Sequence, residues 1–398
     1  MHLTSTRLLP LALLLAGCPK PRGETGETAP PVDSGDTVSA PDPSHVILAW
    51  PTQGMHSLDP SYATASIGAP AVGLRAQVLE RGLWPSIVTA DLQLDYSPLD
   101  PAQFQGASDF WEHARDLLGD DAPTEGMGLS GAGLEGTYAH FGDIFRASGV
   151  PVVPTTGSGD TGPFPLFTLS LSDTAGDALV GGVVVAPSST DLGCGLCHGD
   201  DYATDILHQH DARHDSTLAT ETPVRCGACH AQPTFGWEGD GDAAMLATAM
   251  HGAHAARMVK LEGNLEATCL ACHPGPDTPF LRDTHVKREL SCVDCHGDMA
   301  TLTAVERVPW QDLPRCETCH VKEESTYQQP GASFEDSMGH GGMRCTACHH
   351  VAHALFGSEI EADNTQNLAL QGYAGVVSTC TVCHDPSPGG LFPHRWEP

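Results

Sequence analysis

The sequence predicts a multidomain protein in which a mostly-β, sandwich-like N-terminal domain precedes a C-terminal region of short helices and loops. Between residues 45 and 190 there is no cysteine, and apolar residues come in short runs interrupted by Gly and Pro, which is typical of antiparallel strands. After residue 190 the chain carries seven copies of the pentapeptide Cys-x-x-Cys-His and shows no sustained strand alternation. The repeated pentapeptide therefore organises the second region.

Residues 1–17 have the features of a signal peptide. A basic residue lies near the start, and the apolar run Leu8–Ala16 is too short to span a bilayer. The string LAGC that ends at Cys18 resembles a bacterial lipobox, in which cleavage precedes the cysteine and lipid is attached to it. This resemblance implies lipidation at Cys18, and Pro19 in place of Asp implies sorting to the outer membrane. We expect an exported lipoprotein at the periplasmic face or the cell surface.

Residues 18–44 form a predicted disordered tether. Pro, Gly, Thr and acidic residues dominate the segment, and almost nothing apolar is present to form a core. In partly polyproline II conformation, at about 3 Å per residue, such a segment reaches roughly 70 to 80 Å. The tether is therefore long enough to hold a folded body away from a lipid surface.

The N-terminal domain, residues 45–190, is expected to be mostly β. Its apolar runs are VILAW from Val46, SIVTADLQLDY from Ser86, FPLFTLSL from Phe164 and ALVGGVVVA from Ala178. Two helices are also predicted, one in DFWEHARDLLG with Asp109 as its N-cap and one over Ala71–Arg81.

Histidines in this domain leave two interpretations open. Met55, His56 and either His113 or His140 could form a copper site, because imidazole and thioether sulfur suit copper. The alternative is a β domain with surface histidines that docks a partner or shields the first cofactor of the C-terminal region.

The seven pentapeptides account for 14 of the 15 cysteines. Their cysteine pairs are Cys194 and Cys197, Cys226 and Cys229, Cys269 and Cys272, Cys292 and Cys295, Cys316 and Cys319, Cys345 and Cys348, and Cys380 and Cys383. Cys-x-x-Cys-His is the signature of c-type haem attachment, in which two thiols meet the porphyrin vinyl groups and the histidine binds iron. Zinc ribbons and dithiol redox sites also use Cys-x-x-Cys, but neither requires the histidine that follows every pair. The sequence therefore predicts seven covalently attached haems c and none in residues 45–190.

The chain resembles the multihaem c-type cytochromes over residues 191–398, from about Asp191 to Pro398. The seven motifs carry this resemblance. Successive motifs start 23 to 43 residues apart, which leaves too little polypeptide per cofactor for an ordinary core. We expect porphyrin faces to supply most of the buried apolar surface. The resemblance implies a haem-packed region whose function is electron transfer.

The motif histidines are the predicted proximal iron ligands. They are His198, His230, His273, His296, His320, His349 and His384. A haem with a second side chain on the opposite side carries electrons, whereas an open position can bind a substrate. Ten further histidines follow Cys194 for seven irons. The predicted distal ligands are His210, His251, His254, His285, His340, His353 and His394.

Three distal assignments follow from the resemblance, and others stay open. The placements of His285, His340 and His353 are similar to those of distal histidines in bis-histidine multihaem cytochromes. His210 and His214 share one face of a predicted helix, and the pattern does not decide which of them binds iron. Methionine is the competing sixth ligand, available at Met250, Met258, Met299, Met338 and Met343.

His251 and His254 lie at i and i+3 of a helix predicted over about 242–261. Their Cβ atoms should be about 5 to 6 Å apart on one helix face. If both bind iron, they must bind two different haems. The alternative is that one binds iron and the other hydrogen-bonds a propionate.

The chain carries a formal net charge of -31. Such charge excludes nucleic acid as a partner, and it either serves solubility alone or attracts cationic partners. With the motifs, it indicates an electron carrier that serves other redox proteins, such as cytochromes, quinol-linked proteins or extracellular electron acceptors, and has no catalytic residue. The alternative is a multihaem reductase of a small nitrogen or sulfur oxyanion at one open haem.

Overall fold

A computed structural model of the chain describes residues 44–104, 108–129, 131–155, 160, 162–258, 265–274, 278, 280–304, 306–322, 325–326, 328–329 and 331–388. The predicted signal peptide, the tether up to residue 43 and His394 lie outside this set. Among the described residues, no helix has the length and apolar character needed to cross a bilayer.

The N-terminal half folds into two antiparallel sheets. Its strands are β1 (His45–Pro51), β2 (Ala65–Ser66), β3 (Ala71–Glu80), β4 (Ser86–Ile87), β5 (Leu92–Pro98), β6 (Gly136–Thr137), β7 (Ala139–Phe141), β8 (Ile144–Pro151), β9 (Leu166–Asp173) and β10 (Ala178–Val185). The first sheet has the order β1-β3-β8-β7 with β4 also paired to β3, and the second has the order β10-β9-β5-β6. The predicted mostly-β character of this half is confirmed.

One hydrophobic core lies between the two sheets. The first sheet contributes Ile47, Leu74 and Val78, and the second contributes Leu94 and Phe167. Each of these side chains is at most 3% exposed. Because successive residues of a strand point to opposite faces, every second residue of β1 and β3 enters this core. The arrangement is a two-sheet sandwich.

The helix predicted over Ala71–Arg81 is wrong, because this segment forms strand β3. β3 lies inside the first sheet and pairs with β1 on one side and β8 on the other. Its one internal amide side chain, Gln77, is fully buried and bonds to the C-terminal half. Two ladders of inter-strand hydrogen bonds and burial on both faces outweigh the local helix propensity of AVGLRAQVLE.

Helix α1 (Phe110–Leu118) matches the prediction, but Asp109 does not cap it. Asp109 stands at the N-cap position, and its side chain makes no capping hydrogen bond. Its carboxylate instead accepts hydrogen bonds from Ser61 Oγ at 2.6 Å and Tyr62 N at 2.9 Å. Asp109 therefore fastens the helix to the loop after β1.

The C-terminal half consists of short helices, turns and loops, as predicted. Its helices are α2 (Gly195–His198), α3 (Tyr202–His214), α4 (Leu246–Met258), α5 (Leu265–Leu270), α6 (Cys292–His296), α7 (Met299–Leu302), α8 (Cys345–His349) and α9 (Thr365–Gln371). Its strands are β11 (Val224–Arg225), β12 (Val321–Lys322) and β13 (Ser325–Thr326). α4 begins later than the predicted residue 242, and residues 259–261 lie outside the described set.

The C-terminal half covers the outer face and one edge of the first sheet. Leu48 and Trp50, which point away from the sandwich core, pack in a second hydrophobic cluster that includes Leu355. At the free edge of β1, Gln366 of α9 accepts a hydrogen bond from Ala49 N at 2.7 Å. Covering an edge strand in this way satisfies its backbone and blocks pairing with another chain. The two halves therefore share a hydrophobic interface.

Candidate functional site

The motifs form tight single turns. The backbone N–H of His230 donates to the carbonyl of Cys226 at 2.9 Å, and that of His384 donates to Cys380 at the same distance. This bond closes one turn, so the two cysteine sulfur atoms and the imidazole of each motif project from the same single turn. Cys226 and Cys229 form no disulfide, which leaves both sulfur atoms available for thioether bonds.

Six motif histidines each face a second histidine; we number the sites by motif order along the chain. The pairs and their ring-centroid separations are His198 and His254 (6.2 Å), His230 and His210 (6.3 Å), His273 and His251 (6.0 Å), His296 and His353 (6.0 Å), His320 and His285 (6.2 Å), and His384 and His340 (5.8 Å). Imidazoles on opposite sides of one metal ion, with each nitrogen about 2 Å from the metal, have centroids about 6 Å apart. The residues present therefore fit a haem iron, which when bound supplies a one-electron redox centre.

Hydrogen bonds at Nδ1 orient several of these rings. His251 and His254 each donate to the backbone carbonyl four residues earlier in α4, at 2.7 Å. His230 donates to the Ala244 carbonyl, also at 2.7 Å. A histidine held at Nδ1 presents Nε2 to a metal ion with its tautomer and ring orientation already set.

The motif histidine of site 1 has a carboxylate as its partner. His198 Nδ1 lies 2.6 Å from Asp205 Oδ2, and Gln209 Nε2 donates to the same oxygen at 3.2 Å. The hydrogen bond from His198 holds the pKa of Asp205 below its usual range. Because a carboxylate acceptor raises the basicity of a ligand imidazole, site 1 differs electronically from a site whose histidine bonds a carbonyl.

Burial keeps two of the paired histidines uncharged near neutral pH. It lowers the pKa of His273 to about 4 and that of His353 to about 4. Neutral imidazole is the form that binds metal ions. Burial also raises the pKa of Cys226 to about 12, so this sulfur is held as a thiol.

Helix α4 serves two sites at once. His254 faces His198 of site 1, and His251 faces His273 of site 3. Since residues at i and i+3 are neighbours on one helix face, sites 1 and 3 lie side by side.

Helix α3 joins sites 1 and 2. Asp205 in its first half bonds His198, and His210 in its second half faces His230. The ring of His214 lies 4.7 Å from that of His210, one turn further along. Of the two histidines that the sequence left open, His210 is the one that stands opposite a proximal ligand.

The sites follow one another in space in an order that differs from the order of the motifs. A Cβ atom at Gly193 would lie 2.1 Å from the Ala271 carbonyl oxygen, so the absence of a side chain lets motif 1 approach motif 3. Sites 3 and 4 are neighbours: burial lowers the pKa of His273, and the nearby His251 and His296 lower it further. Burial raises the pKa values of Cys295, Cys316 and Cys348, and the neighbouring thiols of Cys319, Cys345 and Cys383, respectively, raise them further. With α3 included, the order is 2, 1, 3, 4, 5, 6, 7.

Phe356 lies between sites 5 and 6. Its ring stacks on His285 at 5.0 Å and on His349 at 5.6 Å. Phe334 lies 6.4 Å from His349. The remaining predicted distal ligand, His394, lies outside the described residues.

Comparison with known proteins gives one match to a protein family. The family model for cytochrome c554 and c-prime matches residues 225–297. The match supports a c-type cytochrome. The matched residues contain motifs 2, 3 and 4, together with helix α4. No curated protein and no solved structure matches the chain.

Sequence reasoning missed two groups that contact motif histidines. Asp205 lies seven residues after His198 on the next helix, a spacing that belongs to no recognised motif. The Leu83 carbonyl oxygen lies 2.9 Å from His384 Nδ1, across a sequence separation of 301 residues. No local signal could have found a contact of that range.

Two of the histidines considered for a copper site, His56 and His140, have contacts with other groups in the structure. His56 is buried, with Nε2 3.0 Å from the Ala69 carbonyl oxygen and its ring 5.8 Å from that of Phe235. His140 packs against Phe145 at 4.6 Å. Within the part of the chain that the structure describes, no group of three or more His, Cys, Asp or Glu side chains is placed to hold a metal ion.

Proposed function

We propose that this chain is an electron carrier in which seven covalently attached c-type haems form a continuous row. The main support is the set of six histidine pairs, whose ring centroids are 5.8 to 6.3 Å apart. An iron with imidazole on both sides has no position left for a substrate, so such a centre exchanges electrons and does not catalyse. His394 completes the proposed set of seven distal ligands.

The spatial order of the sites defines a path for electrons along the molecule. Site 2 lies at one end of the row, and site 7 lies at the other. Electrons that enter at one end leave at the other through sites that are neighbours in space. Because α3 and α4 each contribute to two adjacent sites, the two helices hold sites 2, 1 and 3 at fixed positions relative to one another.

Two measurements on the mature protein test the proposal. Its mass should exceed that of the polypeptide by seven haems, and a pyridine haemochrome assay should give the same ratio. The electron paramagnetic resonance spectrum of the oxidised protein should contain low-spin ferric signals alone. A stoichiometric high-spin signal would identify an open iron and favour the oxyanion reductase, and a count of six or fewer haems would refute full loading.

The proposed carrier is held at the outer membrane by lipid on Cys18. The support is the lipobox-like LAGC string and the tether composition of residues 18–44. Radiolabelled palmitate should enter the wild-type protein but not Cys18→Ser, and the variant should leave the membrane fraction. A variant that stays with the membrane places the anchor elsewhere.

The proposed partners are other redox proteins with a cationic docking face. The formal charge of -31 creates a negative field that attracts cations over about 8 Å at physiological salt and further at low salt. Electron exchange with a small basic cytochrome should slow as ionic strength rises, whereas exchange with a neutral quinol analogue should not. An unchanged rate with the basic cytochrome would indicate that the acidic residues serve only solubility.

A further inference from the structure

The loop between β3 and β4 lies against the last motif. The Asp385 N–H donates to the Gly82 carbonyl at 2.9 Å. One residue further on, the Leu83 carbonyl oxygen lies 2.9 Å from His384 Nδ1, which is the donor of that bond. The proximal histidine of site 7 is therefore oriented by the backbone of the N-terminal half, which carries no motif.

The same sheet holds the segment that carries the other histidine of site 7. Asp143, between β7 and β8, binds the Arg344 guanidinium through both carboxylate oxygens, at 2.6 Å and 3.2 Å. Gln77 of β3 accepts a hydrogen bond from Arg344 N at 2.8 Å, and its amide nitrogen lies 3.4 Å from the Gly342 carbonyl oxygen. His340 lies only four residues before Arg344, so these bonds fix the segment from which it projects.

Sites 1 and 2 are held differently. The Nδ1 partner of His198 is Asp205, and that of His230 is the Ala244 carbonyl. Both partners belong to the C-terminal half, as do His254 and His210, which face these proximal ligands. The histidines of site 7 are thus oriented from the β region and those of sites 1 and 2 from within the C-terminal half, although strand β11, just before Cys226, pairs with β2.

Two apolar side chains on the same loop are exposed. Leu83 is 45% exposed and Trp84 is 80% exposed. Moving a tryptophan indole out of water stabilises a protein by about 2 to 3 kcal/mol, one of the largest contributions of any side chain. An exposed indole does not make this contribution. The carbonyl of Leu83 is bonded to His384, so these side chains lie on the loop that contacts the last motif, where a porphyrin attached at Cys380 and Cys383 would supply an apolar surface.

We propose that the β region is a structural part of the seventh haem site. The Leu83 carbonyl positions His384, Gln77 and Asp143 position the segment of His340, and Leu83 and Trp84 pack against the attached porphyrin. This inference rests on the proposed function, because it takes a haem at the last motif. It gives the N-terminal half a role of its own, as the support of the terminal redox centre.

Trp84→Ala in the mature holoprotein tests the apolar wall. The haem count should stay at seven, and one component of the redox titration should move to lower potential, because water admitted to the site stabilises the ferric form. Leu99→Ala is the matched control, since Leu99 directly follows β5 of the second sheet and is 51% exposed, and it should leave every component in place. A Trp84→Ala titration that superimposes on that of the wild type overturns the wall.

Asp143→Ala tests the support of the distal ligand. Loss of both bonds to Arg344 should loosen His340, so that one of the seven haems becomes high-spin when oxidised and binds carbon monoxide when reduced. The control is Asp95→Ala, which removes a carboxylate bonded to Thr137 and Gln93 within the second sheet. Spectra without a new high-spin or carbon monoxide-bound signal contradict the supporting role.

The haem count separates this inference from the proposed function. If the wild-type mass shows fewer than seven haems, the proposed row itself fails at the unloaded motif. If the wild-type protein carries seven and both Trp84→Ala and Asp143→Ala leave the potentials and spectra unchanged, only the role of the β region is refuted. Should Asp143→Ala not fold, Trp84→Ala gives an independent answer, because an exposed side chain can be truncated without loss of the core.

Discussion

Asp205 is the residue that sets the proximal ligand of site 1 apart. Asp205→Asn keeps the size of the side chain and replaces a charged acceptor by a neutral one, so His198 becomes less basic and the ferric form loses stabilisation. A charge-assisted hydrogen bond is stronger than a neutral one, so its loss favours the ferrous form. One component of a spectroscopic redox titration should therefore move to higher potential.

The matched control for this change is Asp201→Asn. Asp201 stands at the N-cap position of the same helix, and its side chain makes no capping hydrogen bond. Its replacement should move no component by a comparable amount. Equal shifts in the two variants would mean that the negative charge of α3 matters and the bond to His198 does not.

Glu335 gives the fold a pH dependence of known sign. Its side chain lies 3.1 Å from the Arg75 guanidinium, and burial nevertheless raises its pKa from the ordinary 4.5 to about 7. Because the folded protein binds this proton more tightly than the unfolded chain, the stabilisation is complete below pH 4.5 and is lost as the pH rises through about 7. The loss amounts to at most about 3 kcal/mol.

Glu335→Gln tests this dependence in thermal denaturation. The melting temperature of the wild type should fall between pH 5 and pH 8 more steeply than that of the variant, which has no proton to lose at this position. Asp336→Asn is the control, because Asp336 lies 3.7 Å from the same guanidinium but its side chain is 63% exposed. Parallel curves for wild type and Glu335→Gln would show that the carboxyl is already ionised at pH 5.

At the scale of an element, the two histidines of helix α4 should each be needed by a different haem. His254→Gly should leave the haem of site 1 without its distal imidazole, and His251→Gly should do the same at site 3. Each variant should show one high-spin ferric signal, and the double variant should show two. The signals belong to different proximal ligands, His198 and His273, so their redox components should differ as well.

A different outcome at α4 would revive the alternative interpretation. If only one of the two variants becomes high-spin, the other histidine serves as a hydrogen-bond partner and not as a ligand. Gly252→Ala is a useful control, because a Cβ atom at Gly252 would meet no other atom within 4 Å and alanine favours the helix. It should leave every haem low-spin.

At the scale of the whole molecule, the two halves should differ in their dependence on haem. Of the 46 buried hydrophobic residues in the described part of the chain, 36 lie between residues 46 and 186. The β region thus has a core of its own, whereas the C-terminal half must bury porphyrin surface to be stable. In apoprotein, hydrogen exchange should be slow in the central strands and fast through the motif region.

The holoprotein supplies the comparison for this experiment. Its amides should be protected in both halves, and the outer face of the first sheet should gain protection along with the C-terminal half, because Leu48 and Trp50 pack in the cluster that includes Leu355. Protection of the motif region in apoprotein would show that polypeptide contacts alone stabilise it.

Local features could be predicted from the sequence. The motifs could be located and their turns expected, because the residues that build each turn lie within five consecutive positions. The strands β5 and β9 could also be located because apolar and polar residues alternate along them, and β1 and β10 because each is a short apolar run. Such alternation is absent from β3, because the second sheet covers one of its faces and the C-terminal half covers the other.

Contacts between distant segments were decided by the tertiary structure alone. Nothing in the sequence pairs His296 with His353, sends His251 and His254 to different proximal ligands, or brings the Leu83 carbonyl to His384 across 301 residues. The physical reason is that a distal ligand must only arrive about 6 Å from its partner ring, and any segment that the fold carries there can supply it. Composition sets how many imidazoles the chain has to offer, and packing of the two halves determines which iron each of them can reach.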